Sequence, residues 1–158
     1  MQVGDFLLPQ NVMLEVRASD KAALLRQLSN KAAVEARLDP GHVMEEIKKR
    51  EALGSTGVGN GVALPHARLA GLKAPFALLA RLRNAIDFEA IDDEPVDIVV
   101  LLLLPETANG EQLNALACVA RALRSPETLK KIREAADQDA AFRAIAAPSA
   151  ADLAAGPS

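Results

Sequence analysis

The unbroken apolar run from Ile98 to Leu104 constrains this chain more than any other stretch. It is far shorter than the ~20 residues a membrane helix needs, so it reads as a strand covered on both faces. A strand of that kind sits centrally in a sheet, with helices on either side. Other segments supply those partners. Asn11 to Arg17 alternates Val12, Leu14 and Val16 at the strand period, Phe76 to Arg83 alternates Phe76, Leu78, Ala80 and Leu82, and Val62 to Leu64 is a short strand. Ser19 and Asp20 cap a helix from about Lys21 to Arg37 with Leu24, Leu25, Leu28 and Ala32 on one stripe. Asp39 and Pro40 start a second helix that runs to about Ala52, with Val43, Met44 and Ile47 inward. Pro105 ends the apolar strand. Asn109 and Gly110 then open a helix with Leu113, Leu116, Ala120 and Leu123 inward, Ser125-Pro126 starts another, and Asp137 caps a last one containing Phe142 and Ile145. Asp87 to Asp97, acidic and holding Pro95, is expected to be a connection with room for a brief edge segment, and Gly4 to Pro9 a short turn or helix. The tail from Ala146, rich in Ala, Ser and Pro, is expected to fray.

At 158 residues with half of them apolar, the chain is one domain's worth and can bury a sizeable core. Net charge is −3, acids and bases are interspersed, and Trp and Tyr are absent, so neither a basic nucleic-acid surface nor a base-stacking platform is expected. The single Cys118 lies in a helical apolar pattern and reads as a buried thiol in a reducing compartment. The start lacks the basic and long apolar segments of a secretory signal. A cytoplasmic protein without membrane insertion is the expectation. Two histidines, one cysteine and no HExxH or CxxC spacing argue against metal.

Chemistry concentrates between Arg50 and Arg68. Gly54, Gly57, Gly59 and Gly61 lie beside Ser55, Thr56 and Asn60, and run into Val62 to Pro65 ahead of His66. Glycines reach backbone conformations closed to other residues, so such a loop can turn several N–H groups towards an anion. Arg50 and Arg68 bracket it with side chains suited to phosphate oxygens. The other reading is that the glycines only turn and the histidine is structural. Arg50 likewise admits two readings, since with Lys48 and Lys49 it also complements the negative end of a helix dipole. No Gly-Lys-Ser or Gly-Lys-Thr closes the loop, so it is not a Walker A. Glu111, Gln112 and Asn114 follow the buried strand, where α/β folds often bind ligands, or they merely satisfy free N–H groups of a first helical turn. His42 reads as a surface residue.

Glu51, Val58, Gly59, Val62, Ala63, Leu64, Pro65, His66 and Ala67 resemble the signature of the type 2 enzyme IIA domain of the bacterial phosphoenolpyruvate-dependent phosphotransferase system. Ala85 to Phe88, Ala90 to Asp92 and Pro95 to Asp97 are also similar to that family, and the stretch from Arg50 to Gly61 is most like its nitrogen-regulatory branch. The resemblance implies an α/β domain over residues 1–146, a mixed sheet of about five strands flanked by helices on both faces, with 147–158 as a tail. It implies phosphorylation of His66 by a phosphorylated histidine carrier protein, with Arg50 holding the phosphoryl group. Ser55, Thr56, Gly57, Gly59 and Asn60 are further candidates to bind it, and no cofactor is called for. Gln112 stands where many members carry a second histidine; it can donate a neutral hydrogen bond but carries no charge and shuttles no proton. The expected role is a phosphocarrier that acts as a regulatory switch, with unknown targets. A sugar-specific enzyme IIA feeding an enzyme IIB and an unphosphorylated binding module are the alternatives.

Overall fold

The computed structural model describes residues 1–106 and 110–147, without the side chains of 111–113. Strand β6 (Val96–Pro105) is the axis of the sheet. On one side it pairs antiparallel with β5 (Phe76–Ile86), which in turn pairs parallel with β1 (Val12–Val16). On the other it pairs parallel with β3 (Val62–Ala63) and β4 (His66–Leu69), while β2 (Gly57–Gly59) runs antiparallel to β3 at the edge. The sheet is therefore mixed and has six strands, one more than expected.

Alternation along β6 feeds two cores. Val99, Leu101 and Leu103 join Leu24, Leu28, Val43 and Ile47 of α1 (Lys21–Ala36) and α2 (Pro40–Ala52). Ile98, Val100, Leu102 and Leu104 join Ala115, Val119, Leu129, Ile132 and Ile145 of α3 (Gly110–Leu123), α4 (Pro126–Glu134) and α5 (Gln138–Ala146). All seven of these strand residues are buried, the pattern expected of a strand with both faces covered. Helices begin where capping chemistry puts them: Asp20, Asp39, Ser125 and Asp137 accept from the N–H of Ala23, His42, Thr128 and Ala140. Helix α1 stops at Ala36 because Arg37 takes the left-handed conformation, φ 57°, and its N–H turns back on the preceding carbonyls.

Several expectations needed correction, and one strand, β4, was not among those expected. The glycine stretch is a β-hairpin: Gly59 pairs with Val62, and Asn60 and Gly61, with φ of 59° and 79°, form the two-residue turn between them. Two successive positive-φ residues are what the favoured two-residue hairpin turn requires, and Asn-Gly supplies them with least strain. Residues from His66 form a strand although their pattern is weak, because β6 offers a free edge to pair with. Finally, the connection expected between Asp87 and Asp97 is shorter, since Val96 and Asp97 already belong to β6, and Phe88 within it is fully buried. Cys118 is only partly buried, and its Sγ donates to the Met1 carbonyl. Asn109 and the tail beyond Ala147 lie outside the described residues.

The hairpin turn is tied to α4. Arg133 pairs with Asp97 at 2.9 Å and donates to the Asn60 carbonyl at 2.8 Å, and a Cβ on Gly61 would come within 2.6 Å of the same guanidinium. Gly61→Ala is therefore expected to lower stability by about 1–3 kcal/mol through backbone strain and loss of these contacts. Chemical denaturation of the two proteins checks this; an unchanged midpoint would show that the turn adapts.

Candidate functional site

The site forms where the strand alongside β6 is interrupted. Val62 and Ala63 pair with Ile98 and Val99, and His66 and Ala67 pair with Leu102 and Leu103, so the register is continuous from β3 into β4. Between them Pro65 has no N–H to donate, though its carbonyl still accepts from Leu102 N–H at 2.9 Å. The Leu64 carbonyl is taken by a side chain instead: His66 Nδ1 lies 2.9 Å from it. A carbonyl only accepts, so Nδ1 carries the proton and Nε2 presents its lone pair.

Arg50, in the last turn of α2, reaches that nitrogen. Its Nε donates to His66 Nε2 at 3.4 Å and its Nη1 donates to the Gly54 carbonyl at 2.9 Å. Arg50 thus satisfies a carbonyl just past the helix end and also faces the imidazole. The contact with the ring is long, and among the described residues no bond engages Nη2, so the guanidinium can turn towards an incoming anion. Burial pushes the His66 pKa below the ordinary 6.5; the Leu64 carbonyl opposes this, nearby Arg50 reinforces it, and Glu51 opposes it. Burial thus favours the neutral ring, with its Nε2 lone pair facing Arg50.

The other expected phosphate ligands are committed elsewhere. Ser55 Oγ donates to the Phe88 carbonyl at 2.8 Å and accepts from Gly57 N–H at 3.0 Å. Thr56 is buried, and its hydroxyl donates to Glu51 Oε1. Asn60 N–H donates to Asp92 at 3.0 Å, and Gly59 lies against the same carboxylate. Val62, next after the turn that holds Asn60, stands beside Ile98, whereas His66 stands beside Leu102, about 13 Å further along β6 at the rise of a strand. Gly57, Gly59 and Asn60 therefore do not form a cradle of free N–H groups around the imidazole. Arg68 lies exposed two residues along β4 from His66. Gln112 is in the first turn of α3, its side chain outside the described residues; Asn114 is exposed. His42, partly exposed, is in the first turn of α2, at the opposite end from Arg50.

Glu51 and Lys21 received no role from sequence reasoning. The Glu51 carboxylate accepts from Thr56 N–H and hydroxyl and pairs with Lys21 Nζ at 2.9 Å. One signal pointed to Lys21: a cation at the first position of a helix faces the positive end of the dipole, so it needs a reason to be there. Among the described residues no group of three or more His, Cys, Asp or Glu side chains is placed to hold a metal ion, and no helix is long and apolar enough to cross a membrane.

Residues 5–147 match the family described as phosphoenolpyruvate-dependent sugar phosphotransferase system, EIIA 2. A nitrogen regulatory protein of Bradyrhizobium diazoefficiens is 41% identical over 150 residues, covering 95% of this chain and 98% of that protein. The crystal structure of the nitrogen regulatory protein IIA-Ntr from Neisseria meningitidis superposes with a TM-score of 0.85 at 30% identity, covering 90% of this chain and 98% of that one. The fructose-specific EIIABC component of Bacillus subtilis is 28% identical over 141 residues, covering 89% of this chain and 22% of that longer protein.

A folded-state pKa below 6.5 means that the neutral ring favours the native state. Its contribution is complete above the unfolded value and is lost as pH falls through the folded one. The imidazole resonances of His66 are expected to titrate with a midpoint below 6.5. An NMR titration checks this, and a midpoint at or above 6.5 would contradict the desolvated, Arg50-facing ring.

Proposed function

Because the chain belongs to the phosphoenolpyruvate-dependent sugar phosphotransferase system EIIA 2 family, we propose that His66 is the residue that carries its phosphoryl group, accepted in the cytoplasm from a phosphorylated histidine carrier protein. The protein is a regulatory phosphocarrier of the nitrogen-related branch. Members of the family exchange phosphate with a phosphocarrier and with EIIB partners. The observation that carries the assignment to His66 is the pair of contacts on its ring, Leu64 carbonyl on Nδ1 and Arg50 on Nε2.

In the transfer, the Nε2 lone pair attacks the donor's phosphorus. A nitrogen–phosphorus bond forms to His66 as the donor's breaks, and that bond's electron pair returns to the donor ring. The His66 ring becomes cationic while Nδ1 keeps its proton, so the bond to the Leu64 carbonyl strengthens as charge develops. Arg50 leaves Nε2 and takes the phosphoryl oxygens, supplying the electrostatic stabilisation on which such transfers depend. A dianionic phosphoryl group on a cationic ring then stands where a neutral ring stood, a net gain of one negative charge, which changes what can dock there. Gln112, with no charge to offer a leaving phosphoryl group, fits a carrier that holds its phosphate as a signal better than one that passes it rapidly to a sugar-specific EIIB.

Incubation with phosphoenolpyruvate, enzyme I and a histidine carrier is expected to place acid-labile, base-stable label on the wild type and none on His66→Gln. Arg50→Gln should slow labelling by about 10²–10³-fold, and Arg50→Lys should recover part of the rate because it restores a point charge without the planar fork. Label on His66→Gln would move the site elsewhere, and absence of label with every carrier would favour the binding module. Transfer from the labelled protein to added EIIB would restore the sugar-specific alternative.

A further inference from the structure

Arg50 and Glu51 are adjacent and opposite in charge, and both act on His66. They do not pair with each other, since successive residues of a helix point to different sides, and the carboxylate has partners of its own. Glu51 is saturated by three other donors: Lys21 Nζ at 2.9 Å, Thr56 N–H at 3.2 Å, and the Thr56 hydroxyl. The Glu51 side chain is 7% exposed and that of Lys21 17%, so both charges are largely withdrawn from water. Lys21 Nζ also lies 4.6 Å from the centre of the buried Phe88 ring and 3.7 Å from Glu89. A carboxylate buried to this degree and left without its cation carries a large penalty, and it turns to whatever cation it can reach.

From these contacts we infer that Lys21 is a positioning residue for phosphoryl transfer: by holding the Glu51 carboxylate at the start of α1, it leaves Arg50 free to serve His66. This rests on the reading of His66 as the phosphoryl acceptor. The link extends to the other ring nitrogen. Glu51 fixes Thr56, the Thr56 carbonyl accepts from Leu64 N–H at 2.9 Å, and the Leu64 carbonyl accepts from His66 Nδ1 at 2.9 Å. One ion pair thus bears on both sides of the imidazole, through Arg50 at Nε2 and through Thr56 and Leu64 at Nδ1. With Lys21 gone, Glu51 swings to Arg50, the guanidinium leaves the ring, and the carboxylate's influence on His66 grows.

The test compares Lys21→Met, Lys21→Arg and the double variant Lys21→Met/Glu51→Gln with wild type, by single-turnover phosphoryl acceptance from a phosphorylated histidine carrier and by NMR titration of His66. Lys21→Met is expected to accept phosphate about tenfold more slowly at saturating donor with donor affinity unchanged, and its His66 midpoint should rise. Lys21→Arg should behave as wild type. The double variant, with no carboxylate left to capture Arg50, should regain most of the rate and the wild-type midpoint. A wild-type rate and midpoint in Lys21→Met would overturn the inference. So would a double variant that melts like wild type yet stays as slow as Lys21→Met. If no carrier phosphorylates the wild type, the acceptor reading fails, while the His66 midpoints still decide whether Lys21 governs the ring.

Discussion

The hydrogen bond between the Leu64 carbonyl and His66 Nδ1 is the interaction on which the site depends. β3 and β4 keep one register along β6, and in that register Leu64 turns its backbone away from β6, its N–H to the Thr56 carbonyl and its carbonyl to His66. The bond does two things at once. It assigns the tautomer, so that the lone pair faces outward on Nε2, and it fixes the plane of the ring against a strand that is buried on both faces. The rigidity of β6, anchored in two separate cores, is thereby passed to a nucleophile on the sheet edge.

Charge is arranged around that ring with the same economy. A neutral imidazole must accept a dianionic group without already being paired to a carboxylate, and the cation that will hold the group must not be neutralised beforehand. Burial and Arg50 keep the ring neutral, and the Lys21–Glu51 pair occupies the carboxylate closest in sequence to Arg50. The glycine hairpin serves this arrangement as scaffold. Its Thr56 end ties into Glu51 and Leu64, and its Asn60 end is locked to α4 by Arg133 and Asp97.

Much of this was legible from residues alone. The apolar run Ile98 to Leu104 announced the central strand, the capping residues Asp20, Asp39, Ser125 and Asp137 marked helix starts, and Arg50 and His66 stood out by residue type and neighbourhood. What was misread had a physical cause. The glycines suggest open N–H donors, but the positive φ of Gly59 and Gly61 serves a hairpin around Asn60, and the Gly57 and Asn60 N–H groups go to Ser55 and Asp92. β4 has no strand-like composition of its own, since its pairing comes from the free side of β6. The commitment of Ser55 and Thr56 depends on Phe88 and Glu51, partners set by the tertiary fold. The partner of Lys21 lies on another helix, and only its unfavourable place at a helix start hinted that it had one.

The most direct test of the central claim is to phosphorylate the protein labelled with nitrogen-15 in its histidines and read the phosphorus–nitrogen coupling. With Nδ1 held by Leu64, the coupling is predicted at Nε2 of His66, with Nδ1 still bearing the hydrogen-bonded proton. Coupling at Nδ1 would mean that the Leu64 contact does not set the nucleophile, and the account of the site would be wrong.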